Sequence, residues 1–181
     1  HYPFHLSWFS LVDRARLQAG ETLLVHAGAG GVGSAAIQLG KALGARVVAT
    51  AGGPEKVAFC RELGAEVAID YHQGGFADAV VEATGGTGVD VALDTIGGTV
   101  TEETFRCMGL HGRLLIVGYA QDIANDGAPL SPQGRGRPRG GSRMCRLGGC
   151  SGAAVGLWCA WGGPVVGLQW DCNGDCRGTV V

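Results

Sequence analysis

Along the first 120 positions, short unbroken apolar runs alternate with longer stretches whose apolar residues recur every three or four places. The runs are Thr22–Ala27, Arg46–Thr50, Glu66–Asp70, Val89–Asp94 and Gly112–Gly118. Near-continuous apolar character over such lengths suits parallel strands covered on both faces. The stretches between them predict helices over Ser34–Leu43, Glu55–Leu63, Phe76–Thr84 and Thr101–Met108, with a short helix over Trp8–Ala15 ahead of the first strand. Gly44, Gly64 and Gly85-Gly86 stand where these helices would end, and Pro54 where one would begin. Strands and helices alternating through short loops make βαβ units with right-handed crossovers. The fold class expected is therefore α/β, a doubly wound parallel sheet of five strands.

The junction of the first strand and its helix carries the candidate chemistry. There His26-Ala27-Gly28-Ala29-Gly30-Gly31-Val32-Gly33 holds a G-x-G-x-x-G at Gly28, Gly30 and Gly33. In a chain with 34 glycines the pattern alone is weak. Between a strand and a helix it has a mechanism: Gly28 for a tight turn, Gly30 for backbone approach to a pyrophosphate, Gly33 for close helix packing. Free N–H groups and the positive dipole end of the helix would then face the anion. This makes the expected sheet Rossmann-type, with ligands at the carboxyl ends of its strands. An NAD site usually places an acid at the end of the second strand, roughly 20 residues beyond the glycines. Here that strand ends Ala49-Thr50-Ala51-Gly52-Gly53, without a carboxylate, and Lys56 follows. Glu55 is the opposing charge, although an acid in the first helical turn also serves the helix dipole. The balance favours NADPH over NADH.

Composition adds three constraints. A net charge of −2 gives no global signal for nucleic acid or an anionic membrane. Seven scattered cysteines, an odd number, do not make a disulfide framework; Cys60 and Cys107 are expected as reduced core thiols in a cytoplasmic protein. The chain opens without a basic signal region or an initiator methionine, as a fragment would. Three regions are expected: a lead-in helix and turn over 1–20, the nucleotide-binding domain over 21–120, and an atypical, poorly ordered tail over 121–181. That tail is irregular and rich in Gly, Arg and Cys, without lysine or phenylalanine, as a GC-rich gene read in a shifted frame would give. Its arginines at 135, 137, 139, 143 and 146 lack interleaved aromatics for nucleic-acid binding. Cys145, Cys150, Cys159, Cys172 and Cys176 lack a C-x-x-C pair for zinc. Leu147–Trp170 is too rich in glycine for a membrane helix.

Several segments together resemble the medium-chain dehydrogenase/reductase superfamily, and within it the zinc-independent, zeta-crystallin-like quinone oxidoreductases. They are Leu11–Leu17, Gly20–His26, Ala29–Gly33, Gln38-Leu39, Lys56, Leu63–Ala65, Ile69–Tyr71, Thr84–Asp90, Asp94–Gly98 and Gly112-Arg113. The resemblance spans roughly residues 8–120 and covers the nucleotide-binding domain. It implies that Gly28, Gly30, Gly31, Val32 and Gly33 hold the pyrophosphate. Thr50, Gly52 and Lys56 would surround the 2′-phosphate, and Tyr71 would lie against the adenosine end. Thr95 to Gly98, and Ile116, Val117, Gly118 and Tyr119, would approach the nicotinamide. The implied activity is hydride transfer from NADPH to a quinone or an activated alkene or carbonyl, without zinc. The family's catalytic domain precedes this one and has no counterpart here, so no catalytic residue is assigned. The strand that normally follows, which often pairs across a homodimer, has no match in the tail, so the fifth strand is expected to leave an unprotected edge. Two other readings stay open: a non-catalytic nucleotide-binding or structural module, and a relative of the zinc-type alcohol dehydrogenases.

Overall fold

The computed structural model describes residues 1–118 and 120, and the backbone of 154–157, 166–170 and 176–180. Helix α1 (Tyr2–Trp8) runs into a π-helical turn, Phe9–Arg14. Then come β1 (Thr22–Val25), α2 (Gly31–Ala42), β2 (Arg46–Ala51), α3 (Pro54–Leu63) and β3 (Val67–Asp70). After a 3₁₀ turn, Tyr71–Gln73, follow α4 (Phe76–Ala83), β4 (Val89–Asp94), α5 (Gly98–Thr104), a second 3₁₀ turn at Phe105–Cys107 and β5 (Met108–Ile116). Three further strands are β6 (Ala154–Leu157), β7 (Val166–Trp170) and β8 (Cys176–Val180).

The sheet order is β3-β2-β1-β4-β5-β6-β7-β8. The first five strands in chain order are all parallel to their neighbours, and the order reverses direction at β1. Alternation along each strand builds the two faces. Leu23, Val25, Val47, Ala49, Val91 and Leu93 pack with Ile37, Val57 and Cys60 beneath α2 and α3. Leu24, Val48, Val89, Ala92, Leu114 and Ile116 pack with Phe76 and Val80 on the opposite side, beneath α4. The α/β doubly wound expectation holds for this part of the chain.

Four expectations need correction. The first helix begins at Tyr2, with Pro3 in its opening turn, and buries Leu6, Ser7, Ser10 and Leu11. Leu11, Ala15 and Leu17 join the core under α2. Helix α2 begins at Gly31, so Gly31, Val32 and Gly33 form its first turn instead of preceding it. Helix α5 begins at Gly98 and has ended by Thr104, while β5 starts at Met108, four residues ahead of the predicted strand. The cause lies in the pairing: Met108 sits opposite Val89, and an irregularity before the Val91–Arg113 pair absorbs the extra residues. His111 takes a φ of 65° there. Finally, β5 is not an edge. Strand β6 pairs with it in parallel, and β7 and β8 extend the sheet in antiparallel fashion. The apolar Ala154–Leu157 and the Val166–Trp170 run suffice for strands once a parallel template is present.

One close approach positions α2. A Cβ on Gly33 would stand 2.2 Å from the Ala27 carbonyl oxygen and 2.8 Å from the Gly28 Cα. No L side chain fits there without moving backbone. Polar ties join the same strand ends. The buried His26 ring contacts the Thr50 hydroxyl through Nδ1 and the Thr104 hydroxyl through Nε2, each at 2.9 Å. It also stands edge-on to Phe76 at 4.7 Å between centroids. Burial lowers the His26 pKa from 6.5 to about 4, against the opposing pull of Asp94 and Glu103.

Two predictions follow from these contacts. Gly33→Ala should cost ~1–3 kcal/mol by overpacking, read as a fall in the urea midpoint. For His26, above pH 6.5 the ring is neutral in both folded and unfolded chains. Between 6.5 and about 4 only the unfolded chain takes the proton, so stability falls as pH drops through that window. The loss should be on the order of 3 kcal/mol. The difference in unfolding free energy between the native chain and His26→Gln, measured at pH 7 and pH 5, should shrink at the lower pH. A constant difference would show that His26 is not the titrating group.

Candidate nucleotide-binding site

The site follows from how the ends of β1, β2, β3 and β4 are tied together. After β1 the backbone turns at Ala27, which takes a left-handed φ of 49°. Gly28 does not supply the positive φ of this turn, as its place in the motif suggested. It supplies space: a Cβ there would lie 2.8 Å from the Cys60 Sγ and 3.1 Å from both Ala49 and Ile37. Its N–H donates to the Thr50 carbonyl at 2.9 Å, which fastens the turn to the end of β2. Gly30 is the N-cap of α2, in extended conformation, and Ser34 N–H donates back to its carbonyl at 2.8 Å. The N–H groups of Gly31, Val32 and Gly33 precede that first helical bond and lie at the positive end of a helix spanning Gly31–Ala42. Gly30 and Gly31 are exposed. A Cβ on Gly30 would meet only the Ala27 carbonyl, at 3.2 Å. Helix α1 flanks this turn, with Ser7 donating to the Val32 carbonyl at 3.1 Å.

A second group of expected residues gathers beyond β2. Tyr71 lies over Gly52, since a Cβ on that glycine would come within 2.6 Å of Tyr71 Oη. Asp70, at the end of β3, accepts from Gly53 N–H at 2.9 Å and from His72 N–H at 3.0 Å. Those two bonds hold its carboxyl below the usual range. Lys56 and Glu55 are both exposed on the first turn of α3, whose N-cap is Gly53 without a side-chain cap. Thr50 behaves differently from the expectation built on resemblance. Its side chain is buried and bonded to His26.

The third group lies at the ends of β4 and β5. Asp94 is fully buried and accepts from Ile96 N–H at 2.8 Å and Gly97 N–H at 3.0 Å, and from the Thr101 hydroxyl. It thereby shapes the Thr95–Gly98 turn, where Gly97 and Gly98 take φ of 80° and 59°. Val117 N–H donates to the Asp94 carbonyl at 2.8 Å, and a Cβ on Gly118 would stand 2.9 Å from the Thr95 carbonyl. The structure thus brings Thr95 and Gly118 together. Ile116 is turned into the core, and Tyr119 lies outside the described residues. Between the second and third groups is a cavity of about 250 Å³, lined by His26, Thr50, Tyr71, Phe76, Ile96 and Glu103 among others.

Sequence reasoning missed His26, Asp94 and Asp70. The signal for Asp94 was present, because an acid closing an apolar strand ahead of Gly-Gly commonly bonds its own downstream backbone. His26 gave no such signal, since its partners are 24 and 78 residues away. The expected core thiols are found: Cys60 and Cys107 are free and buried, and burial raises both, Cys107 to about 11.

Comparison with known proteins fits this geometry. The family model described as zinc-binding dehydrogenase matches residues 31–135. Highly reducing polyketide synthase 40 of Fusarium mangiferae is 40% identical over 129 residues, which cover 70% of this chain and 5% of that protein. The chain therefore spans a small fraction of that relative's length. The structure of CurK enoyl reductase matches with a TM-score of 0.61 at 34% identity, over 64% of this chain and 35% of that one. A mycobacterial quinone oxidoreductase, and a mycobacterial protein complexed with NADPH, each match with a TM-score of 0.63 at 36% identity, over 66% of this chain and 37% of theirs. The family's description names zinc, but among the described residues no three His, Cys, Asp or Glu side chains converge as a ligand set. The described residues therefore do not by themselves fit a zinc site. On the matched span and these structural likenesses, the chain belongs to the zinc-binding dehydrogenase family, as the nucleotide-binding half of the medium-chain dehydrogenase/reductase fold.

Proposed function

We propose that this chain is the NADPH-binding part of a reductase whose acceptor is an activated alkene, a quinone or a carbonyl. One observation carries the reading. The start of α2, exposed at Gly30 and Gly31, lies beside a β2 end that has no carboxylate and is followed by Lys56. The relatives named above, an enoyl reductase, a quinone oxidoreductase and a polyketide synthase, support the acceptor class.

The residues present fit the cofactor. Gly30 leaves its outer face open, and the N–H groups of Gly31, Val32 and Gly33 suit a diphosphate. Gly52, Lys56 and Tyr71 would hold the adenosine end and its 2′-phosphate. The cavity beside His26 and Tyr71 is small for a dinucleotide and suits one of its ends. Thr95, Gly98, Val117 and Gly118 would flank the nicotinamide. NADPH, when bound, supplies the hydride; the protein's contribution is to orient it. Here the orienting is done by backbone: Asp94 fixes the Thr95–Gly98 turn, and the glycine at 118 permits its close approach to Thr95. The reading places this domain in the cytoplasm. Among the described residues no helix is long and apolar enough to cross a membrane.

Fluorescence titration with NADPH and NADH tests the reading. NADPH should bind more tightly, and Lys56→Ala should weaken NADPH about three- to tenfold while leaving NADH nearly unchanged, as loss of one charge-assisted contact predicts. Equal losses for both would remove the basis for the cofactor choice. Mixing the chain with NADPH and either an enoyl thioester or a quinone then tests turnover. Binding without oxidation would assign this chain a nucleotide-holding role alone.

A further inference from the structure

The geometry at the end of β3 points to a second cation at the 2′-phosphate position: we propose that His72 sets the preference for NADPH over NADH and makes that preference depend on pH. The inference rests on the NADPH reading above and deepens it.

The observations are local. The His72 ring stands beside the β2–α3 turn, because a Cβ on Gly52 would come within 2.9 Å of His72 Cε1. Gly52 is the position that, in a site for the unphosphorylated cofactor, neighbours the acid holding the ribose hydroxyl. In this chain that acid is missing, and an imidazole and the Tyr71 hydroxyl crowd the glycine instead. His72 is held in place at both ends. Its N–H is bonded to Asp70 Oδ1, and its Nδ1 lies 3.7 Å from the same oxygen. Its ring packs edge-on against Tyr71 at 4.7 Å between centroids. The side chain is 65% exposed and open to an incoming ligand.

The charged and titratable groups around it are few. From β3 comes Asp70, whose oxygen also serves Gly53 N–H. From its own turn come Tyr71 and the uncharged Gln73. The facing first turn of α3 brings Glu55 and Lys56, both exposed. The Asp70 carboxylate faces the ring. Glu55 works against anion binding, so Lys56 alone would leave the turn with little net attraction for a 2′-phosphate. A protonated His72 tips that balance. With His72 neutral, only Lys56 opposes Glu55.

The ligand titrates too, since a phosphomonoester loses its second proton near pH 6. On lowering the pH, protonation of the phosphate weakens its attraction to cations, whereas protonation of His72 strengthens it. Variants separate the two. The full chain would be titrated with NADPH and with NADH at pH 6.5 and pH 8.5, with 2′,5′-ADP as a competitor that carries the phosphate but no nicotinamide. In the native chain the NADPH/NADH affinity ratio should be about three- to fivefold larger at pH 6.5, the scale of one exposed ion pair. His72→Gln should lose that gain, its ratio staying level or falling at pH 6.5 as the phosphate takes up a proton. His72→Lys should keep a high ratio at both values, because its charge persists through the window. Competition by 2′,5′-ADP should follow the NADPH pattern in all three proteins. A native ratio that does not change with pH, or a His72→Gln chain that matches the native one, overturns the role of His72 while leaving the NADPH reading intact. Failure of the native chain to bind NADPH at either pH overturns both.

Discussion

Helix α2 can reach the end of β1 only because residue 33 has no side chain. The space between that helix and the Ala27 carbonyl is smaller than any methyl group. Everything at the carboxyl edge of the sheet depends on this contact. It brings the first turn of α2, with its unbonded N–H groups, to the mouth of the crossover. The same turn is gripped from below, where Cys60 of α3 fills the space that a side chain at Gly28 would need. Helices α2 and α3 therefore both close on this turn, through Ile37 and Cys60. The strain of the reversal falls on Ala27, which accepts a left-handed backbone between two fixed neighbours.

Three polar side chains at strand ends then decide what kind of surface the edge presents. Asp94 accepts from backbone N–H groups of its own turn, Asp70 accepts from its own turn at His72 and from Gly53 of the β2–α3 turn, and His26 spans from Thr50 to Thr104. The Asp70–Gly53 and His26 bonds tie elements distant in the chain, whereas those of Asp94 are local. The two carboxylates also share a consequence for binding. A carboxylate already engaged by two backbone donors has less of its charge to turn on an incoming anion. The acid that would serve a ribose hydroxyl at the end of β2 is absent, and the acid one strand further on is occupied by Gly53 and His72. A phosphate at this position therefore meets peptide donors and basic side chains before it meets a free carboxylate, Glu55 excepted.

The sheet was legible in the sequence because parallel strands buried on both faces leave uninterrupted apolar runs, and five of these fall where strands are found. Helix starts were less legible. Gly31 and Gly33 are poor helix formers, so the periodic pattern only begins at Ser34, yet the helix starts at Gly31, with Gly33 packed against Ala27. The extension of β5 to Met108 depends on a partner, Val89, that no local pattern announces. The same holds for β6. Ala154–Leu157 is too short to stand out in a glycine-rich stretch, and it becomes a strand by lying along β5. At the candidate site, the close packing of Gly33 was readable from the motif. Residues bonded to distant partners were not, as the His26–Thr50 contact shows.

The same distinction bears on what this domain contributes to a reaction. The turn from Thr95 to Gly98 and the β5 end at Val117 and Gly118 are shaped by peptide groups, glycines and one buried, fully engaged aspartate. A surface of that kind can fix the height and tilt of a planar ring. Among the described residues of this turn and strand end, no acid or base side chain is exposed. Reduction of an alkene, a quinone or a carbonyl by hydride also requires a proton, and its source must be solvent or groups other than those described around Thr95 and Gly118. Acceptor selection would then be set by whatever closes over the nicotinamide, while this half sets the cofactor and its orientation. On that division, substitutions among the glycines should alter affinity for every acceptor alike, because they act on the donor common to all of them.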